Sequence, residues 1–264
     1  MIASSSRMPP FCQVGTFPAR GTAERRNGIL LPVKVLVVGA SKGLGRAFVE
    51  GLTSDGHQVT GVSRVRPADS DMNWIEVDFN DPRKAADAVA LHAPGGVDLV
   101  IYNLGAWEPD AFTPDYDFVA QQDNTTESLI ATNITGPILL LNRLLPRLLN
   151  SDQPRVILTG STSGLPRSGR PEVAFGSTKA ALNGLADALR ENYRAERLAV
   201  TTIQLGYLNT ADSLDVPKER AALAGEGLLV PVHDVLDVVR MILALSPASF
   251  IREIVMPAIL DERF

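Results

Sequence analysis

The stretch VVGASKGLGRAF, which begins at Val37, constrains the fold of this chain more than any other. Its glycines, Gly39, Gly43 and Gly45, follow the apolar run VKVLVV and precede a helical pattern. In that pattern Leu44, Ala47, Phe48 and Leu52 share one face, and Gly56 ends it. Glycines at such a junction let the backbone turn tightly and approach a pyrophosphate, with the helix amides facing the phosphates. A glycine-rich turn that holds no ligand is the competing reading.

The pattern then alternates. Apolar runs at VKVLVVG, QVTGVS, WIEVDF, VDLVIYNLG, RVILTGS, AVTTIQLG and REIVMP read as strands, with helical segments between most of them. Such alternation predicts an α/β fold: a doubly wound, Rossmann-type sheet of seven parallel strands with helices on both faces. Residues 124–149 read as a long helix that Gly136-Pro137 is expected to bend or split. A loop and short helices are expected over 210–230. With no repeat and no second composition regime, residues 33–264 read as a single domain. Residues 1–32 are rich in proline, glycine and arginine and lack a period, so they read as a disordered or leader-like extension.

Charge and cysteine usage remove several classes of function. The 264 residues carry a formal net charge of −5, whereas nucleic-acid binders usually carry a basic excess. The one cysteine, Cys12, excludes an internal disulfide. His57, His92 and His233 are far apart and read as surface or packing residues, so no metal is expected. No apolar run reaches the ~18 residues of a membrane span, and the expectation is a cytoplasmic protein without a membrane partner.

The glycine spacing is G-x-x-x-G-x-G, which resembles that of the short-chain dehydrogenase/reductase family. The resemblance runs through most of the chain after residue 32. Asp78-Phe79 closes the third strand, where the family's acid meets the adenine. YNLG is similar to the family's Asn-Asn-Ala-Gly, with Asn103 and Gly105 matching. Asn133, Ser161 and Lys179 match the active-site asparagine, serine and lysine, and Thr210 the threonine after the sixth strand. The resemblance implies a nicotinamide nucleotide held by Gly39, Ser41, Lys42, Gly43, Leu44, Gly45, Ser63, Arg64, Asp78, Phe79, Asn103, Gly105, Lys179 and Thr210. Its subtype has a physical argument. NAD binders usually place an acid after the second strand, but here Ser63-Arg64 stands there, and Lys42 adds a second cation. Cations suit a 2′-phosphate, so NADP(H) is favoured; solvated surface charges are the alternative.

One position departs from the family. In AFGSTK the residue four before Lys179 is Phe175, where the resemblance implies a proton-donating tyrosine. By resemblance Ser161 holds the substrate oxygen, Lys179 the ribose, and Asn133 a water on the proton path. General acid catalysis is typically worth ~10²–10⁴-fold. Tyr207 is the first candidate for another donor, with a pocket-wall role as its alternative; Ser161 and a water come next. A reaction at an already activated carbon needs no such acid. A nucleotide-binding sensor without turnover, or an engineered Phe variant of an active enzyme, remains open. Tyr193 reads as structural. Trp107, Phe112, Tyr116 and Phe118 read equally well as an aromatic substrate pocket and as packing under a long loop. Family members commonly pair through the long helices, here near 124–149 and 171–196, so a homodimer or homotetramer acting on a small molecule is expected.

Overall fold

The computed structural model describes residues 32–264. All but the last residue of the expected N-terminal extension lies outside the described residues. Strand β1 (Lys34–Val38) buries its last four residues, as a strand covered on both faces must. Val35 and Val37 enter one core and Leu36 and Val38 the other, following the period of two along a strand.

Six further strands join β1 in one sheet: β2 (Gln58–Ser63), β3 (Asn73–Glu76), β4 (Leu99–Tyr102), β5 (Arg155–Thr159), β6 (Ala199–Leu205) and β9 (Glu253–Met256). The order is β3-β2-β1-β4-β5-β6-β9, and every pair is parallel. This is the expected seven-stranded doubly wound sheet. A short parallel pair, β7 (Leu208–Asn209) with β8 (Val230–Pro231), was not expected and ties the two ends of the 210–230 region together.

Helices α1 (Gly43–Ser54) and α7 (Val232–Ala244) cover one face with Phe48, Leu52, Leu236 and Val239. The other face is covered by α2 (Pro82–His92), α4 (Gly136–Leu148) and α5 (Val173–Asn192). The chain runs outward from β1 in one direction through β3 and in the other from β4. The sheet therefore opens a crevice at the ends of β1 and β4, where doubly wound sheets bind ligands.

Helix α3 (Asp123–Ile130) leads into α4 without a break. Pro137 does not split the helix. One π turn, Ala131–Thr135, absorbs the mismatch, with the Gly136 amide reaching back to the Ala131 carbonyl. In α register the carbonyl of Asn133 would take its hydrogen from residue 137, but proline has none to give. The continuous run Asp123–Leu148 spans 26 residues and is apolar enough by length and composition to cross a membrane. Its apolarity has a local use: Leu140, Leu141, Leu144 and Leu148 lie in the core against α2 and the sheet.

Leu144 is fully buried. Leu144→Ala should lower the unfolding free energy by about 2–5 kcal/mol, read as a reduced urea midpoint at unchanged slope.

Candidate functional site

The turn between β1 and α1 is built on contacts that exclude side chains. Gly39 has φ +82°, and a Cβ there would lie 2.7 Å from the Leu104 amide nitrogen. A Cβ on Gly45 would sit 1.9 Å from the Gly39 carbonyl oxygen. The Asn103 amide donates to that same oxygen at 3.3 Å. The N-terminus of α1 has no side-chain cap and no acid in its first turn. Its first amides, at Gly43, Leu44 and Gly45, therefore have neither an intrahelical partner nor a capping side chain. A polar, anion-seeking cradle results, shaped for close approach of a phosphate group.

The remaining predicted nucleotide residues surround that cradle unevenly. Thr210 lies against Gly43, 3.2 Å from where a Cβ would stand. Ser41, Lys42 and Arg64 are exposed, and the side chains of Lys42 and Arg64 have no hydrogen-bond or ion-pair partner among the described residues. The Ser63 hydroxyl donates to the Val65 carbonyl and accepts from the Trp74 indole at 3.0 Å, so it shapes the strand end. Asp78 is exposed and holds the Asn80 amide. Phe79 is buried, its ring edge-on to Tyr102 in the core.

Ser161, Lys179, Asn133 and Phe175 converge, all of them buried. Lys179 donates to the Thr159 carbonyl at 2.8 Å, and its Nζ lies 5.6 Å from the centre of the Phe175 ring. A Cβ on Gly105 would come within 3.3 Å of the same nitrogen. Burial lowers the Lys179 pKa to about 8. The Ser161 hydroxyl accepts from the Ser163 amide at 3.1 Å, which leaves its own proton available to an incoming oxygen. The Asn133 side chain is fully committed. It accepts from the Ala106 amide and donates to the Ala106 carbonyl and the Thr178 hydroxyl. Its main-chain carbonyl lies in the π turn, where Pro137 offers no amide hydrogen.

Tyr207 lies at the rim, 37% exposed, and accepts from Arg170 at 3.2 Å. Arg170 stacks over its ring and pairs with Asp261, both of those side chains nearly buried. Phe112 bridges the rim to the interior, at 5.8 Å from Tyr207 and 5.1 Å from Phe175, edge-on to both. Two further residues carried no signal in the sequence. Glu108 accepts from the Ala174 and Phe175 amides and the Tyr116 hydroxyl, and Glu172 accepts from the Phe112 amide. Neither belongs to a local pattern, and Glu108 lies 66 residues from Ala174. Tyr193 ends α5 and packs on the core, consistent with a structural role.

A cleft of about 940 Å³ lies at the other end of the sheet, lined in part by Arg155, Arg190, Arg194 and Arg252. It contains none of the predicted site residues.

Comparison with known proteins identifies the family and the fold. Residues 33–220 match the family described as short chain dehydrogenase. The chain is 27% identical to 3-oxoacyl-(acyl-carrier-protein) reductase MabA of Mycobacterium tuberculosis, over 67% of this chain and 69% of the relative. It is 28% identical to an NADPH-dependent pterin aldehyde reductase of Arabidopsis thaliana, over 70% of this chain and 78% of the relative. Serine dehydrogenase of Escherichia coli superposes with a TM-score of 0.67 at 20% identity, covering 85% of this chain and 97% of the other. A closed form of serine dehydrogenase complexed with NADP+ gives 0.68 at 20% identity, covering 85% and 94%.

The depressed pKa of Lys179 has a signed consequence. Between about 8 and its ordinary 10.5 the folded state has released a proton that the unfolded chain still holds. Stability therefore rises with pH across that window, and below it the charged lysine is carried into the core at full cost. Lys179→Met should gain on the native chain by on the order of 1–3 kcal/mol at pH 7, with the gap closing between pH 8 and 10.5. Paired denaturant melts at several pH values measure this.

Proposed function

The chain belongs to the short chain dehydrogenase family, and we propose that it is an NADP(H)-dependent oxidoreductase whose proton does not come from residue 175. Its substrate is a small organic carbonyl, the corresponding alcohol, or an activated carbon. The observation that carries this reading is the shared location of two features at the ends of β1, β4 and β5. One is an uncapped helix terminus beside glycines that tolerate no Cβ; the other is a buried lysine and serine. A protein that only senses a nucleotide has little use for Lys179, a cation held in the core with a carbonyl as its partner.

The residues fit a dinucleotide. Gly39, Gly43 and Gly45 cradle the pyrophosphate, Lys42 and Arg64 grip the 2′-phosphate, and Asp78, Asn103, Lys179 and Thr210 hold the rest. A nicotinamide bound there would supply or accept the hydride. Ser161 donates its proton toward the substrate oxygen and fixes that oxygen in place. Phe175 stands where the family's acid stands and keeps the ring without the hydroxyl. Tyr207 is the proposed alternative donor: its hydroxyl accepts from Arg170 and so keeps its own proton to give. The carbonyl of Asn133 is the proposed anchor for a water behind Lys179. The chain is further proposed to pair through α4 and α5, whose outer faces include exposed Ile138 and a Gly184 with open space above it.

Four measurements test these statements. NADPH should bind more tightly than NADH, and Arg64→Asp should erase or reverse the preference; equal affinities in a direct titration would remove the NADP(H) assignment. Phe175→Tyr should raise carbonyl reduction by ~10²-fold or more, because an aligned proton donor is worth about that. Tyr207→Phe should abolish native turnover while NADPH still binds. Tight binding with no turnover of any carbonyl by either protein would favour a nucleotide sensor instead. Light scattering at micromolar concentration should report a dimer or tetramer.

A further inference from the structure

We infer that the substrate of this site is an aryl carbonyl, a flat aromatic ring carrying the reacting C=O, recognised by a ladder of aromatic edges that leads from Lys179 to solvent. The inference rests on the assignment of the site proposed above.

The ladder is continuous. Lys179 Nζ lies over the Phe175 ring at 5.6 Å. Phe175 meets Phe112 at 5.1 Å and 87°, and Phe112 meets Tyr207 at 5.8 Å and 86°. Phe112 also meets Trp107 at 6.2 Å. The two outermost rings do not serve as core: Trp107 is 58% exposed and Tyr207 37%. Trp107 is one of only two tryptophans in the chain, held in water on the outer side of Phe112. Edge-to-face contact is selective, since the positive edge of one ring meets the negative face of another. It adds to simple burial for an aromatic guest and adds nothing for a saturated one.

The placement of Phe112 is costly and enforced. Its φ is +68°, and Asp110 two residues earlier has φ +60°, both in the left-handed region that a bulky side chain disfavours. Two buried carboxylates hold the loop there reciprocally. Glu108, inside the loop, accepts from the first amides of α5, and Glu172, at the cap of α5, accepts from the Phe112 amide. The Tyr116 hydroxyl closes the clamp, donating to Glu108 and accepting from the Val173 amide at 2.9 Å. A loop that only covered the core would need neither the strained backbone nor two buried acids. A loop that must fix the angle of one ring needs both. Tyr116 thus acts as a polar strut, and Phe118 makes no ring contact among the described residues.

The experiment uses two ketones matched in shape, acetophenone and cyclohexyl methyl ketone, titrated by NMR into the full chain saturated with NADP+. Acetophenone should bind at least about tenfold more tightly. Trp107→Leu, at an exposed position, and Phe112→Leu should each weaken acetophenone about three- to tenfold and leave the saturated ketone within about twofold. Equal binding of the two ketones, binding of neither, or an aryl preference that survives both substitutions overturns the inference while the nucleotide assignment stands. Failure of NADP+ to saturate the chain would instead bring down the function proposed above and this inference with it.

Discussion

The approach of α1 to the end of β1 is the contact on which the crevice depends. With a side chain at Gly45 the Gly39 carbonyl would have to move, and with one at Gly39 the start of the segment after β4 would have to move. The helix would then stand off the sheet, the Asn103 amide would lose its acceptor, and β4 would no longer end where β1 does. Because β1 and β4 carry the chain in opposite directions across the sheet, no other pair of strands opens a gap at this point. Hydrophobic burial stabilises the two layers of helix, but the absence of two Cβ atoms decides how closely α1 approaches the end of β1.

The start of α5 is the second organising point. An α-helix leaves its first amides without partners, and here a carboxylate from a distant loop takes two of them. That contact fixes the start of the helix that carries Phe175 and Lys179 and anchors the loop that carries Trp107 and Phe112. The π turn serves the same region from the other side: Asn133 ties Ala106 to Thr178, and Thr178 donates to the Phe175 carbonyl. Glu108, Glu172, Asn133 and Thr178 position the aromatic residues of the site, and none of them needs to contact a substrate to do so.

Much of this was legible in the sequence because it is local. The five inner strands follow from apolar runs whose residues are covered on both faces, and the edge strands β3 and β9 from short runs that are only partly covered. The glycine loop follows from three glycines at a strand-to-helix junction. Pro137 announced a disturbance, but the sequence could not say that a π turn would replace a kink, since that depends on Tyr102 donating to the Thr132 carbonyl from a neighbouring strand. The aromatic loop read equally well as pocket or packing, and its clamp was invisible because Glu108 and Glu172 look like surface acids until the fold buries them. Arg170 and Asp261 were missed for the same reason: a partner 91 residues away leaves no periodic trace.

That last pair bears on how the protein is made. Arg170 supports Tyr207, and Asp261 neutralises Arg170 from a tail that also docks onto Gly227 and Gly169. On the ribosome the sheet strands through β6 emerge and can pack before Asp261 has been added. The support of Tyr207 by Arg170 is therefore completed only once Asp261 has been made, while the turn between β1 and α1 draws on earlier segments and can take shape before it.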